Sequence, residues 1–163
     1  KAQLFGSGTI LREVIEAAEL LKKDWKVSAD VWSITSYNEL ARQAIDCERW
    51  NMLNPSKKAR IPYITSQLQD CKGPVIASSD YIRTVSNQVR QYVPATYTVL
   101  GTDGFGRSDT RKNLRRHFEV NSHYVVLATL KTLADEGTIP ISNVSDAIRK
   151  YGIDTKKPNP ITA

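Results

Sequence analysis

The sequence predicts an α/β domain with a mostly parallel sheet and helices on both of its faces, a three-layer sandwich. Three observations carry that prediction. Short β-branched runs alternate with longer stretches of helical apolar spacing. Each strand-like run ends in small or polar residues that open the next helix. Right-handed crossovers between successive parallel strands then place helices on both faces. The 163 residues suit one domain, 1–163, with one sizeable core.

The elements follow in order. Gln3 to Phe5 reads as a strand and runs into Gly6-Ser7-Gly8. Ile10, Leu11, Val14, Ala18, Leu21 and Trp25 then recur at helical spacing, with Ser7 or Thr9 as the expected cap. Ala29 to Thr35 is a second strand. Ser36 caps a helix carrying Tyr37, Leu40, Ala41, Ala44 and Cys47, and Pro55 lies beyond its end. After the basic loop Pro55 to Arg60, Pro62 opens a helix with Ile64, Leu68 and Cys71.

Gly73-Pro74 precedes a third strand, Val75 to Ser78. Asp80 is the expected cap of a helix bearing Ile82, Val85, Val89 and Tyr92. A fourth strand, Tyr97 to Leu100, leads into the loop Gly101 to Asp109. Ser108 or Asp109 is expected to cap a short basic helix with Leu114 and Phe118. Ser122 to Glu136 is helical, stopped by Gly137. A last helix from Ser142 carries Val144, Ala147, Ile148 and Tyr151 as an i, i+3, i+4, i+7 stripe. The tail from Lys156, with two prolines, is expected to be extended.

Composition excludes several function classes. Hydrophobic residues make up 40% and charged residues 25%, a globular balance. No apolar run approaches the ~20 residues of a membrane span. Lys and Arg number 23 against 17 Asp and Glu, a net charge of +6. The charge is mostly mixed; its one dense cluster is Arg107, Arg111, Lys112, Arg115 and Arg116. That cluster reads as a solvated helix face, an anion site or a subunit contact. Nucleic acid is not an expected partner, because no zinc-finger spacing or aromatic RNA-binding signature accompanies the charge.

Cys47 and Cys71 both fall on apolar helical positions and are expected to be buried, reduced thiols, as in a cytoplasmic protein. Asn143-Val144-Ser145 has the form of a glycosylation sequon but follows no signal segment. Lys1 opens the sequence without an initiator Met, so it reads as a piece of a longer protein.

The chemical motifs are sparse. A dinucleotide fingerprint would need glycine where Leu11 stands and an acid ending the second strand, and Ser33 to Ser36 offers none. Gly6-Ser7-Gly8 is better read as a tight strand-to-helix turn. His117 and His123 lack the companions of a zinc site. No Gly-x-Ser-x-Gly elbow occurs. The acidic pairs Asp46/Glu48 and Asp135/Glu136 look solvated. One feature remains, the loop containing Gly101, Gly104, Phe105, Gly106 and Arg107, with Arg111 just beyond it. Three glycines imply unusual backbone angles or close approach. Two readings stay open: a small-anion site beside Arg107 and Arg111, or a tight loop that meets another domain through Phe105.

Five segments, in their order and spacing, carry a resemblance. They are Gly6 to Val14 (GSGTILREV), Ala29 to Ser36 (ADVWSITS), Asp46 to Leu53 (DCERWNML), Gly101 to Arg111 (GTDGFGRSDTR) and the ending Tyr151 to Pro160. Together they resemble the C-terminal domain of the bacterial homodimeric pyruvate dehydrogenase decarboxylating component. The resemblance implies a transketolase-like C-terminal domain whose five-stranded sheet has four parallel strands and one antiparallel. It implies a cytoplasmic parent enzyme that uses thiamine diphosphate and magnesium. There the cofactors sit in upstream domains, whose Gly-Asp-Gly…Asn signature has no counterpart here. Implied partners are those upstream domains, a second subunit, and the lipoyl acyltransferase component. No catalytic, cofactor or metal residue carries over, so this chain alone is expected to be inactive. The alternative from another class is a free-standing module that binds a small anion.

Overall fold

In the computed structural model, which describes residues 1–163, four strands form one parallel sheet. They are β1 (Ala2–Gly6), β2 (Ala29–Ser33), β3 (Val75–Ser78) and β4 (Tyr97–Leu100), in the order β2-β1-β3-β4. The central strands β1 and β3 are buried at every residue, while β2 and β4 are only partly covered. Burial on both faces is why the central strands show no polar alternation.

Helices α1 (Leu11–Trp25), α6 (Ser122–Asp135) and α7 (Ser142–Lys150) pack on one face. Val14, Ala17 and Leu21 of α1 meet Val126, Leu130 and Leu133 of α6 there. Helices α2 (Tyr37–Leu53), α3 (Tyr63–Leu68) and α4 (Arg83–Asn87) cover the other face, around Phe5, Tyr37, Ala44 and Tyr97. The layers are the three expected. The sheet has four strands rather than five, and none is antiparallel. After β4 the chain forms α5 (Arg111–His117), α6 and α7, then turns broken by Pro158 and Pro160, which cannot donate to a ladder.

Several local expectations hold. Ser36 Oγ accepts from the Glu39 amide at 3.2 Å, capping α2. Others are corrected. Neither Ser7 nor Thr9 caps α1, because a 3-10 turn at Gly8–Ile10 feeds directly into it. Asp80 does not cap α4; the Asp103 carboxylate, across from β4, accepts from the Arg83 amide instead. The helix expected through Tyr92 breaks after Asn87 into a 3-10 turn, Arg90–Tyr92. Thr84, Val85, Ser86, Asn87 and Val89 are all weak helix formers. Thr110 caps α5, accepting from the Asn113 amide, with Asp109 bracing it from one residue earlier. Both cysteines are free thiols. Cys47 is buried, but Cys71 lies past the end of α3 and is half-buried.

The tail is not extended. It folds back through turns, and Lys157 Nζ donates to the His117 carbonyl at 2.9 Å and pairs with Glu119 at 3.0 Å. A cation at the end of α5 suits the free carbonyls there.

Candidate functional site

The last residues of three strands stand side by side, Gly6 beside Ser78 and Ser78 beside Leu100. From β1 the chain crosses to β2 over one face; from β3 it crosses to β4 over the other. The point between β1 and β3 is therefore where the winding reverses, the usual ligand position in an open parallel sheet. A crevice of about 410 Å³ opens there.

Each strand end contributes a wall. Gly6 is required by the turn that leaves β1, because a Cβ there would sit 2.8 Å from Leu11 Cα. The turn delivers Thr9 and Ile10 to the crevice. Asp80 follows β3, and Thr9 Oγ1 donates to its carboxylate at 3.3 Å. Thr102 follows β4 and donates to the Asp80 carbonyl at 2.8 Å, fastening the two loops together. The far wall is Gly104, Gly106, Arg107 and Arg111, over an apolar floor of Leu114, Phe118 and Val120.

Of the six residues singled out in the sequence, the structure thus brings together Gly104, Gly106, Arg107 and Arg111, while Gly101 stays outside the crevice. It also excludes Phe105, which stands 77% exposed. Only Gly104 of the loop's three glycines takes a positive φ, +111°, and its missing side chain admits the tail. A Cβ there would lie 2.0 Å from the Pro160 carbonyl oxygen. Gly106 has an ordinary φ and open space, so the expectation of special geometry fails at that position.

Arg107 and Arg111 make no ion pair, whereas Arg115 is committed. Its guanidinium meets Glu13 at 2.7 Å, and Glu13 also accepts from the Ser122 amide at 3.0 Å. This partly buried pair ties α1, α5 and the start of α6. The Asp109 carboxyl is held below its ordinary range, first by its hydrogen bond from Asn113. His117 packs edge-on against Phe118, with ring centroids 4.8 Å apart. Burial pushes its imidazole pKa down, and nearby Lys157 and Arg107 add to the effect. It stays neutral more readily, and it does not line the crevice.

The sequence marks Thr9 and Asp80 only as expected helix caps, and Thr102 only as part of the Gly101–Asp109 loop. They lie 22 to 93 residues apart, and the strand order brings them together. A second groove, about 520 Å³ between β2, α2 and α3, is walled by Trp32, Ile34, Leu40 and Tyr63. Its Gln43 is already spent on the Tyr63 amide and Cys47 Sγ.

The crevice pairs the Thr9 hydroxyl with the Asp80 carboxylate, and no third side chain orients that pair. No three His, Cys, Asp or Glu residues converge as metal ligands. A hard cation with a diphosphate needs a set of oxygen donors. The single carboxylate here, Asp80, set against Arg107, Arg111 and Arg115, does not fit that group.

Residues 1–121 match the model of the transketolase-like TK C-terminal domain. The chain belongs to that family. It is 57% identical over 161 residues to the pyruvate dehydrogenase E1 component of Escherichia coli K12, covering 98% of this chain. It is 54% identical over 162 residues, 99% of this chain, to the protein of the same name from Cupriavidus necator. In both cases it spans only 18% of the relative's length. A split-gene transketolase, described as an inactive β4 tetramer, shares the fold with a TM-score of 0.56 at 14% identity. That match covers 82% of this chain and 39% of the other. As a transketolase-like C-terminal domain, the chain has the α/β fold expected of it, with the fifth strand absent.

Proposed function

We propose that this chain is the C-terminal domain of a bacterial pyruvate dehydrogenase decarboxylating component, with a supporting rather than a chemical role. In this reading residues 1–163 act as one domain of a cytoplasmic, homodimeric enzyme. That enzyme decarboxylates pyruvate with thiamine diphosphate and magnesium held outside this chain. It passes the acetyl group to the lipoyl group of the acyltransferase component. The observation that carries the reading is identity above 50% along nearly the whole chain to two enzymes of that name. The exposed loop around Phe105 is the surface offered to an upstream domain or the second subunit. No helix is long and apolar enough to cross a membrane.

A chimera tests the reading. This chain replaces the matching segment of the Escherichia coli enzyme, and the soluble product is assayed for pyruvate decarboxylation and acetyl transfer. Activity within about tenfold of the parent, about 1.4 kcal/mol in the barrier, is expected. A soluble, folded chimera without activity would overturn it.

A further inference from the structure

We propose that the crevice at the β1/β3 winding reversal binds a small molecule that carries a phosphate group at one end and a hydroxyl or amine at the other. The site is built entirely from this chain, so the inference goes beyond the role in a longer enzyme.

Four observations converge on it. The first is position, because the crevice lies at the carboxyl ends of the strands where their winding reverses. The second is size, since about 410 Å³ falls within the range of small-molecule sites. The third is charge. Arg107 and Arg111 reach the crevice without an acidic partner. Arg83, Arg90 and Arg115 are engaged within the chain, with Asp103, with Asn87 and the Tyr97 carbonyl, and with Glu13, whereas Arg12, Arg49 and Arg116 are unpaired like Arg107 and Arg111 but do not line the crevice. Two free guanidinium forks match the several oxygens of a phosphate better than one carboxylate. The fourth is polarity along the crevice. Asp80 also lines the crevice without pairing with either arginine, and its one side-chain donor is the Thr9 hydroxyl at 3.3 Å. An anionic ligand end is repelled from Asp80, and a donor group is drawn to it. Ile10, Leu114, Phe118 and Val120 supply the apolar floor between the two ends. Phe105 is exposed and does not line the crevice.

The test is a chemical-shift titration of this chain with pyrophosphate and, separately, with glycerol 3-phosphate, at constant ionic strength. Both should give saturable shifts centred on Thr9, Gly104, Gly106 and Arg107. The double variant R107Q/R111Q, checked for a native-like spectrum, should weaken both by about tenfold or more. D80N should tighten pyrophosphate while removing the preference for glycerol 3-phosphate, which separates the two ends of the crevice. R12Q, on the exposed side of α1, should change neither. Shifts that never saturate, that map elsewhere, or that survive in R107Q/R111Q would each overturn the site. An equal response of both ligands to D80N would overturn the two-ended chemistry. The titration uses this chain alone, so its failure leaves the enzyme reading untouched, and a failed chimera leaves the crevice untouched.

Discussion

Phe5 and Phe105 stand at opposite extremes of one molecule. Phe5 is 1% exposed in β1, its ring edge-on to Trp32 and Tyr97 at 6.3 Å each. Phe105 is 77% exposed on a loop that glycines shape and the tail braces. The first ring belongs to a core the chain completes by itself. The second has no partner within the chain, although a ring of that size contributes ~1.5–3 kcal/mol when fully buried. The difference separates what folds this domain from what it leaves uncovered.

The largest effect should come from breaking the first region. Phe5→Ala leaves a cavity between β1 and its aromatic neighbours and should cost about 3–5 kcal/mol in denaturant unfolding. Gly104→Ala comes next and probes the boundary between the regions. It forces a side chain onto a φ of +111° and into the Pro160 carbonyl. It should cost about 1–3 kcal/mol, and amide exchange should show the Asp154–Ala163 turns opening while β1 and β3 stay protected. Protection of the tail equal to that of the parent chain would refute the bracing role.

A smaller effect sharpens the core side. Tyr37 is buried with its hydroxyl unpartnered, and burial pushes its pKa from 10.0 up to about 12. Between those values the unfolded chain has lost the proton that the folded chain keeps. Its contribution to stability is therefore complete below pH 10 and is lost as the pH rises towards 12. Tyr97, also raised by burial, acts in the same direction. Tyr37→Phe should stay within about 1 kcal/mol of the parent at pH 7, because no hydrogen bond is lost. It should also flatten the fall in stability between pH 10 and 12, read from urea midpoints across that range.

The same division explains what was legible in the sequence. β3 is bounded by Gly73-Pro74 and carries a buried apolar run, and its limits were read to the residue. Ser36 announces α2 because a cap acts across three residues. The cap of α4 was misread because its carboxylate, Asp103, arrives from 20 residues away. The back-folded tail was missed for the same reason, since its anchors are a carbonyl at His117 and the bare face of Gly104. At the crevice, Gly104, Gly106, Arg107 and Arg111 share one short segment and stood out together. Thr102 shares that loop but has no charge or special backbone angle to mark it, and Thr9 and Asp80 join it only through the β2-β1-β3-β4 order.

The measurement that bears most directly on the supporting role is Phe105→Ala, made in parallel in this chain and in the longer pyruvate dehydrogenase polypeptide. In the chain alone the unfolding free energy should change by less than about 0.5 kcal/mol, as for an exposed side chain. In the longer enzyme, sedimentation should show subunit dissociation at higher protein concentration than the parent, or activity should fall with the dimer intact, as expected if the ring packs on an upstream domain. A variant that destabilises the isolated chain by several kcal/mol, while leaving assembly and activity of the longer enzyme unchanged, would contradict the account.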